Sequence, residues 1–295
     1  MGRFKRGFCG WLLLLVGLLG GVNAWAESPV WAIRGSKNTV YLAGSVHLLP
    51  VSDSKLPAGF DKAYADSAAL VMEIDIDDLN PMDAQGLMLE KGMFAGDETL
   101  SGVLGKARFD KLQKQVEGMG IPVPGEALER FQPWMAAMTI EQLQLMKLGF
   151  DPSSGVEMQI ANHARSDHKE ITGFETLQEQ LGMLANLSMP EQVKFLDLTL
   201  EELQEAQSEL DQLLTAWRAG NGSKLANMLS EEYGQAPALY ATLVSDRNRR
   251  WVPQIEKLLK SDKNYMVVVG TLHIVGKNGL LDLLKSDGFS AKQLQ

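Results

Sequence analysis

The sequence predicts an α/β fold, with α+β as the alternative: a mixed β-sheet core, strand-end loops carrying Gly-x-x-His units, and a large inserted helical region. Three observations carry this. Short β-branched runs such as Val267-Val268-Val269 fit strands buried on both faces, the pattern of sheets covered by helices. Two such runs, VYLAGSVHLLP (residues 40–50) and MVVVGTLHIVG (266–276), each end in a glycine with a histidine three residues on. Between them lie long stretches whose apolar residues recur at helical spacing, at about 80–165 and 190–260.

The chain opens with Arg3, Lys5 and Arg6, a leucine-rich run from Trp11 to Leu19, and Ala24-Trp25-Ala26. That is the layout of a secretory signal peptide cleaved after Ala26, and the apolar run is short for a membrane span of about twenty residues. Residues 27–295 are then expected to form one domain, exported and most simply periplasmic. Cys9, the only cysteine, leaves with the signal, which excludes disulfides, thiolate nucleophiles and thiolate metal ligands. Losing those three basic residues and no acidic ones takes the formal charge from −9 to −12. So acidic a chain is a poor partner for nucleic acid or anionic lipid.

In order, Val30 to Arg34 and Thr39 to Ala43 read as strands around a turn at residues 35–38, followed by a helix from Leu56-Pro57 to Ala68. Leu70 to Ile76 is the next strand, with Glu73 and Asp75 on one face; Glu73 is either paired inside the sheet or solvated at an edge. FDPSSG (150–155) is expected to be a loop before a helix over 156–165. His163 and His168, among Arg165, Asp167 and Lys169, look like a solvated run. Glu170 to Phe174 is a strand that delivers Glu175 to its carboxyl end, ahead of a helix over 176–185. In DRNRRW (246–251) Arg247 and Arg250 share a helix face, either as an anion patch or as partners for acidic groups. Leu280 to Lys285 is a terminal helix, and a short strand ends the chain.

Gly44 and Gly270 permit unusual backbone angles or the close approach of a ligand at the sheet's carboxyl edge, where α/β proteins bind ligands. His47 and His273 are therefore expected on adjacent loops, meeting at one site. Ser45 and Thr271 lack an evident base and are set aside as nucleophiles.

AGSVHLLP, LVMEID, ITGFETLQEQL, DRNRRW and VVVGTLHIVGKNGLLDLLKSDGF occur in the order in which they occur in the TraB/GumN family, which this chain resembles from about Tyr41 to Phe289. The family includes PrgY and the animal TIKI proteins. The resemblance implies an α/β core with an inserted helical region, in a superfamily with erythromycin esterases and haem-binding ChaN proteins. TIKI members are metal-dependent peptidases that use both Gly-x-x-His histidines. On matching positions this implies His47, His273, Glu73 and Glu175 as metal-site residues, and Arg247 with Asn248 as the family's Arg-Asn pair. Such a set suits Zn²⁺, Mn²⁺, Co²⁺ or Fe²⁺. Either Glu73 or Glu175 is the general base and the other a ligand, Arg247 steadies an oxyanion or a substrate carboxylate, and Asn248 is a second donor. The expected function is an exported metal-dependent hydrolase cleaving a peptide or protein. The alternatives are a non-catalytic protein that sequesters a peptide or haem, and an envelope protein whose histidines only satisfy buried carbonyls.

Overall fold

The computed structural model describes residues 27–203, 206–234 and 236–295. The expected signal peptide at 1–26 lies outside them. The described residues form eight strands: β1 (Val30–Arg34), β2 (Thr39–Ser45), β3 (Leu49–Pro50), β4 (Ala69–Ile74), β5 (Phe150–Asp151), β6 (Glu170–Glu175), β7 (Tyr265–Gly270) and β8 (Ala291–Gln293). Six form one mixed sheet in the order β6-β4-β7-β2-β1-β8. The four strands β6, β4, β7 and β2 run parallel, so their carboxyl ends open on one edge. β1 and β8 complete the sheet antiparallel.

The β-branched runs behave as their composition dictates. Val267, Val268 and Val269 are fully buried, as are Val40 and Leu42 beside them, because helices cover both faces of the parallel strands. The helical insert has a second apolar cluster around Phe109, Leu112, Leu128, Ile140 and Leu196, built where the helices Pro133–Lys147 and Met189–Glu202 pack together.

Four details differ from the sequence reading. The first helix spans only Ala58–Asp66, with Pro57 as its N-cap. Phe150 and Asp151, expected in a loop, pair with Pro50 and Leu49, so the segment after His47 is tied to the end of the insert. β4 lies between β6 and β7, which removes the edge alternative for Glu73. His273 sits in a one-turn helix, Thr271–Ile274, that starts directly after β7. His163 and His168 are exposed, as expected of a surface run.

Candidate functional site

β2 and β7 are neighbours, so the two histidine units do reach one edge of the sheet, but they are out of step. Gly44 pairs with Val269 and Ser45 with Gly270. An atom placed where a Cβ would stand on Gly270 lies 3.3 Å from Glu73 Oε1, 3.6 Å from His273 Cδ2 and 3.7 Å from His47 Nε2. Two imidazoles and one carboxylate thus surround a single point over a glycine.

Their settings differ. His47 faces solvent, its side chain 64% exposed, whereas His273 is buried. His47 Nδ1 donates to Glu157 Oε1 at 2.7 Å, and Ser45 Oγ donates to the same oxygen. The Glu157 carboxylate pushes the His47 pKa up to about 10. Burial works against the charge of Glu157, but His47 and Ser45 hold its carboxyl below the usual range. His273 is held by Asn248, which is fully buried. Asn248 Nδ2 donates to the carbonyl oxygens of His273 (3.0 Å) and Asn278 (2.9 Å), so Oδ1 is the acceptor and His273 Nδ1 carries the proton, at 2.7 Å. His273 Nε2 then accepts from Arg247 Nη1 at 3.0 Å. Burial drives the His273 pKa down to about 4, so this ring is neutral.

Arg247 ties the rest together. Its Nε donates to Glu175 Oε2 (3.0 Å), its Nη2 to Glu73 Oε2 (2.5 Å), and its Nη1 also to Leu243 O (3.3 Å). Glu73 Oε2 accepts in addition from Gln180, while Oε1 accepts from the Gly270 N–H at 2.8 Å. Burial opposes the charge on Glu73, but His273, Arg247, His47 and the Gly270 N–H outweigh it and hold the pKa at about 2. Glu175 is turned away: its second oxygen accepts from Arg250 at 3.0 Å. The Arg247 guanidinium lies 4.7 Å over Trp251, whose ring is 4.6 Å from His273 and stacks on Phe174. A π-helical turn, Ala241–Ser245, leads into the helix Asp246–Leu259 that carries Arg247 and Asn248, a distortion common at functional sites.

The structure therefore gathers His47, Glu73 and His273 around Gly270 and places Arg247, Asn248 and Glu175 behind them. Arg247 and Arg250 pair with acidic groups instead of forming an open anion patch. Glu157 and Gln180 were not singled out by the sequence. An acid in the first turn of the helix Val156–Ser166 reads as an ordinary partner of the helix dipole, so Glu157 gives no signal of its own.

Among the described residues no three His, Cys, Asp or Glu side chains stand close enough together to hold a metal ion as they are. Arg247 bridges Glu73 and His273 instead. The donors nonetheless fit a divalent cation in kind. Each imidazole is fixed at Nδ1 by an oxygen, so Nε2 is the ligating atom each ring could offer, although that of His273 accepts from Arg247, and Glu73 turns one oxygen into the same space.

A mixed α/β sheet that brings two strand-end histidines and a buried glutamate to one edge defines the class of protein. The chain belongs to the TraB/PrgY/gumN family, whose profile it matches over residues 29–293. It is 26% identical over 278 residues to the uncharacterised protein YbaP of Shigella flexneri, covering 92% of this chain and 97% of that one. It is 22% identical to the metalloprotease TIKI2 of Xenopus tropicalis over 90% of this chain and 60% of that one. An 80-residue stretch, 25% of this chain and 16% of the relative, is 36% identical to a metalloprotease TIKI homologue of Amphimedon queenslandica. No solved structure matches the chain.

Proposed function

We propose that this protein is a metal-dependent hydrolase, exported as its N-terminal sequence indicates, that cleaves a peptide bond. The observation that carries this reading is the convergence of His47 Nε2, Glu73 Oε1 and the His273 ring on the space over Gly270. The relatives named metalloproteases add weight to it. His47, Glu73 and His273 would hold the ion, for which His273 Nε2 has to exchange its hydrogen bond from Arg247. The ion supplies Lewis acidity toward a substrate carbonyl.

The remaining residues have roles set by their partners. Glu73, with a pKa of about 2, stays ionised at any working pH and suits a ligand better than a base. Glu175 has both oxygens committed to arginines, so it anchors Arg247. Asn248 has its whole amide engaged and orients His273. Glu157 orients His47. Trp251, fully buried, closes the inner side of the site against Arg247 and His273, with the half-buried Phe174 stacked on it.

Residues 27–295 are taken as one domain, and among the described residues no helix is long and apolar enough to cross a membrane. The test is metal analysis and peptidase assay of tag-free protein. Stoichiometric Zn²⁺, Mn²⁺, Co²⁺ or Fe²⁺, lost in His47→Ala and His273→Ala, is expected, together with cleavage that stops on chelation and returns with the ion. A metal-free, inactive preparation with a haem absorption band would sink it in favour of sequestration.

A further inference from the structure

We infer that Glu141, on the helical insert, is the proton-transfer residue of the site: its carboxylate takes a proton from the attacking water and passes it to the leaving amine. This rests on the hydrolytic reading above and adds no ligand to the ion.

Peptide hydrolysis needs such a group, and the carboxylates already placed are committed. Glu73 stays ionised, with a pKa of about 2. Glu175 is held by Arg247 and Arg250, and Glu157 by His47 and Ser45.

Glu141 comes from the helix Pro133–Lys147. Met138, one turn before it, packs with Leu177, Leu181 and Leu184 of the helix Leu177–Ala185, whose Gln180 donates to Glu73. Leu145 and Leu148, one and two turns after it, pack on the core of the sheet. Residues at these spacings share a helix face, so Glu141 is turned inward, between the helix that touches Glu73 and the sheet. Just past the helix, β5 pairs with β3, which follows His47 by one residue, and this ties the same face to the His47 side of the site.

A carboxylate in an apolar stripe is costly to keep charged unless a partner compensates it. Glu141 is half-buried, and among the described residues it accepts no hydrogen bond and forms no ion pair, whereas Glu73, Glu157 and Glu175 all have partners. Burial pushes its pKa up, and the charge of His47, acting without contact, offsets only part of this. A free carboxyl group held above its ordinary range beside a hydrolytic site can both take and return a proton. Glu141 removes one proton as the water oxygen bonds to the carbonyl carbon. When the C–N bond breaks, the carboxyl gives that proton to the departing nitrogen and the carboxylate is restored.

The experiment uses tag-free wild type, Glu141→Gln and Glu141→Asp with Zn²⁺ supplied, on the peptide that wild type cleaves fastest in a quenched fluorogenic library. The Glu141 carboxyl is followed against pH by carbon-13 NMR. Glu141→Gln should unfold within about 3 °C of wild type, since no partner is lost, keep KM within a few-fold and lose about 100-fold or more of kcat. The rise of wild-type kcat through the midpoint measured by NMR should vanish in Glu141→Gln and persist, at a reduced rate, in Glu141→Asp. That midpoint should lie above 4.5 and move higher in His47→Ala, where the opposing charge is gone. Unchanged kcat and pH profile in Glu141→Gln overturn the inference and leave the hydrolytic reading standing, as does a midpoint at or below 4.5. Absence of any cleavage by wild type overturns both. Should Glu141→Gln fail to fold, Glu141→Asp decides: wild-type kcat overturns the inference, and a kcat lowered about tenfold or more at unchanged KM supports it.

Discussion

Glu157 and His47 stand 110 residues apart in the chain and meet through a 2.7 Å hydrogen bond at the mouth of the site. The contact fixes the proton on Nδ1 and turns Nε2 toward Gly270. It is itself fixed twice: Ser45 donates to the same carboxylate oxygen, and Val156 N donates to Val46 O at 3.1 Å, holding the helix start against the histidine loop. Partners of this kind typically contribute 10- to 100-fold to metal affinity. Once affinity is corrected for the proton that His47 gives up on binding, Glu157→Ala should therefore bind Zn²⁺ about 10- to 100-fold more weakly than wild type, while Glu157→Gln, which keeps an acceptor oxygen, recovers part of the loss. Equal proton-corrected affinity of wild type and Glu157→Ala in chelator competitions run across pH would remove Glu157 from the site.

Arg247 pairs with two buried carboxylates, Glu73 and Glu175. Its side chain is 10% exposed, against 54% for Arg250, which pairs with Glu175 from the outside. Removing a buried partner leaves uncompensated charge and costs about 3–5 kcal/mol, while an exposed pair contributes at most about 1 kcal/mol. Urea unfolding at neutral pH should thus show Arg247→Ala destabilised by roughly that larger amount and Arg250→Ala by little. The opposite order would mean that Glu175 takes its compensation chiefly from Arg250.

Much of this architecture can be read from residue pattern, and the reason differs between parts. The β2 and β7 runs declare themselves because burial on both faces demands continuous apolar residues, and the histidines that follow are conspicuous among four in the chain. Glu73 is legible because a carboxylate inside an apolar strand requires a partner. Which partner is not legible: Arg247 lies 174 residues away, and only the packing of the helix Asp246–Leu259 against the sheet brings them together. The one-residue stagger between Gly44 and Gly270 is hidden for the same reason, since register depends on the pairing of two distant strands. Glu157 is hidden because its local setting, an acid in a first helical turn, is satisfied without any site.

Asn248 supplies the second histidine's counterpart to Glu157, but as an amide. Its two donors satisfy the carbonyls of His273 and Asn278, and its acceptor takes the His273 Nδ1 proton. Asn248→Asp keeps the acceptor, removes both donors and sets a negative charge beside the ring. The His273 pKa, now about 4, should rise by at least about one unit, because a nearby opposite charge favours imidazolium. Nitrogen chemical shifts of the imidazole followed against pH read this directly. A His273 ring still neutral at pH 5 in the variant would show that burial alone sets its state.

The pKa shifts also fix how cation binding must depend on pH. A metal takes the unprotonated Nε2 of each ring. His273, with a pKa of about 4, and Glu73, at about 2, have already lost their protons at pH 7.5. His47, at about 10, has not, so binding at pH 7.5 must expel its Nε2 proton. Calorimetric titrations with Zn²⁺ in buffers of different ionisation enthalpy should show about one proton released by the protein, and affinity should climb about tenfold per pH unit toward pH 10. The metal-free fold responds with the opposite sign. A raised histidine pKa contributes stability that is complete below the unfolded value of 6.5 and is lost as pH rises through 10. In Glu157→Gln the charge that raises the pKa is gone, so proton release at pH 7.5 should fall well below one. Release that stays at one in that variant, or is absent from wild type, would show that His47 is not the group that gives up the proton.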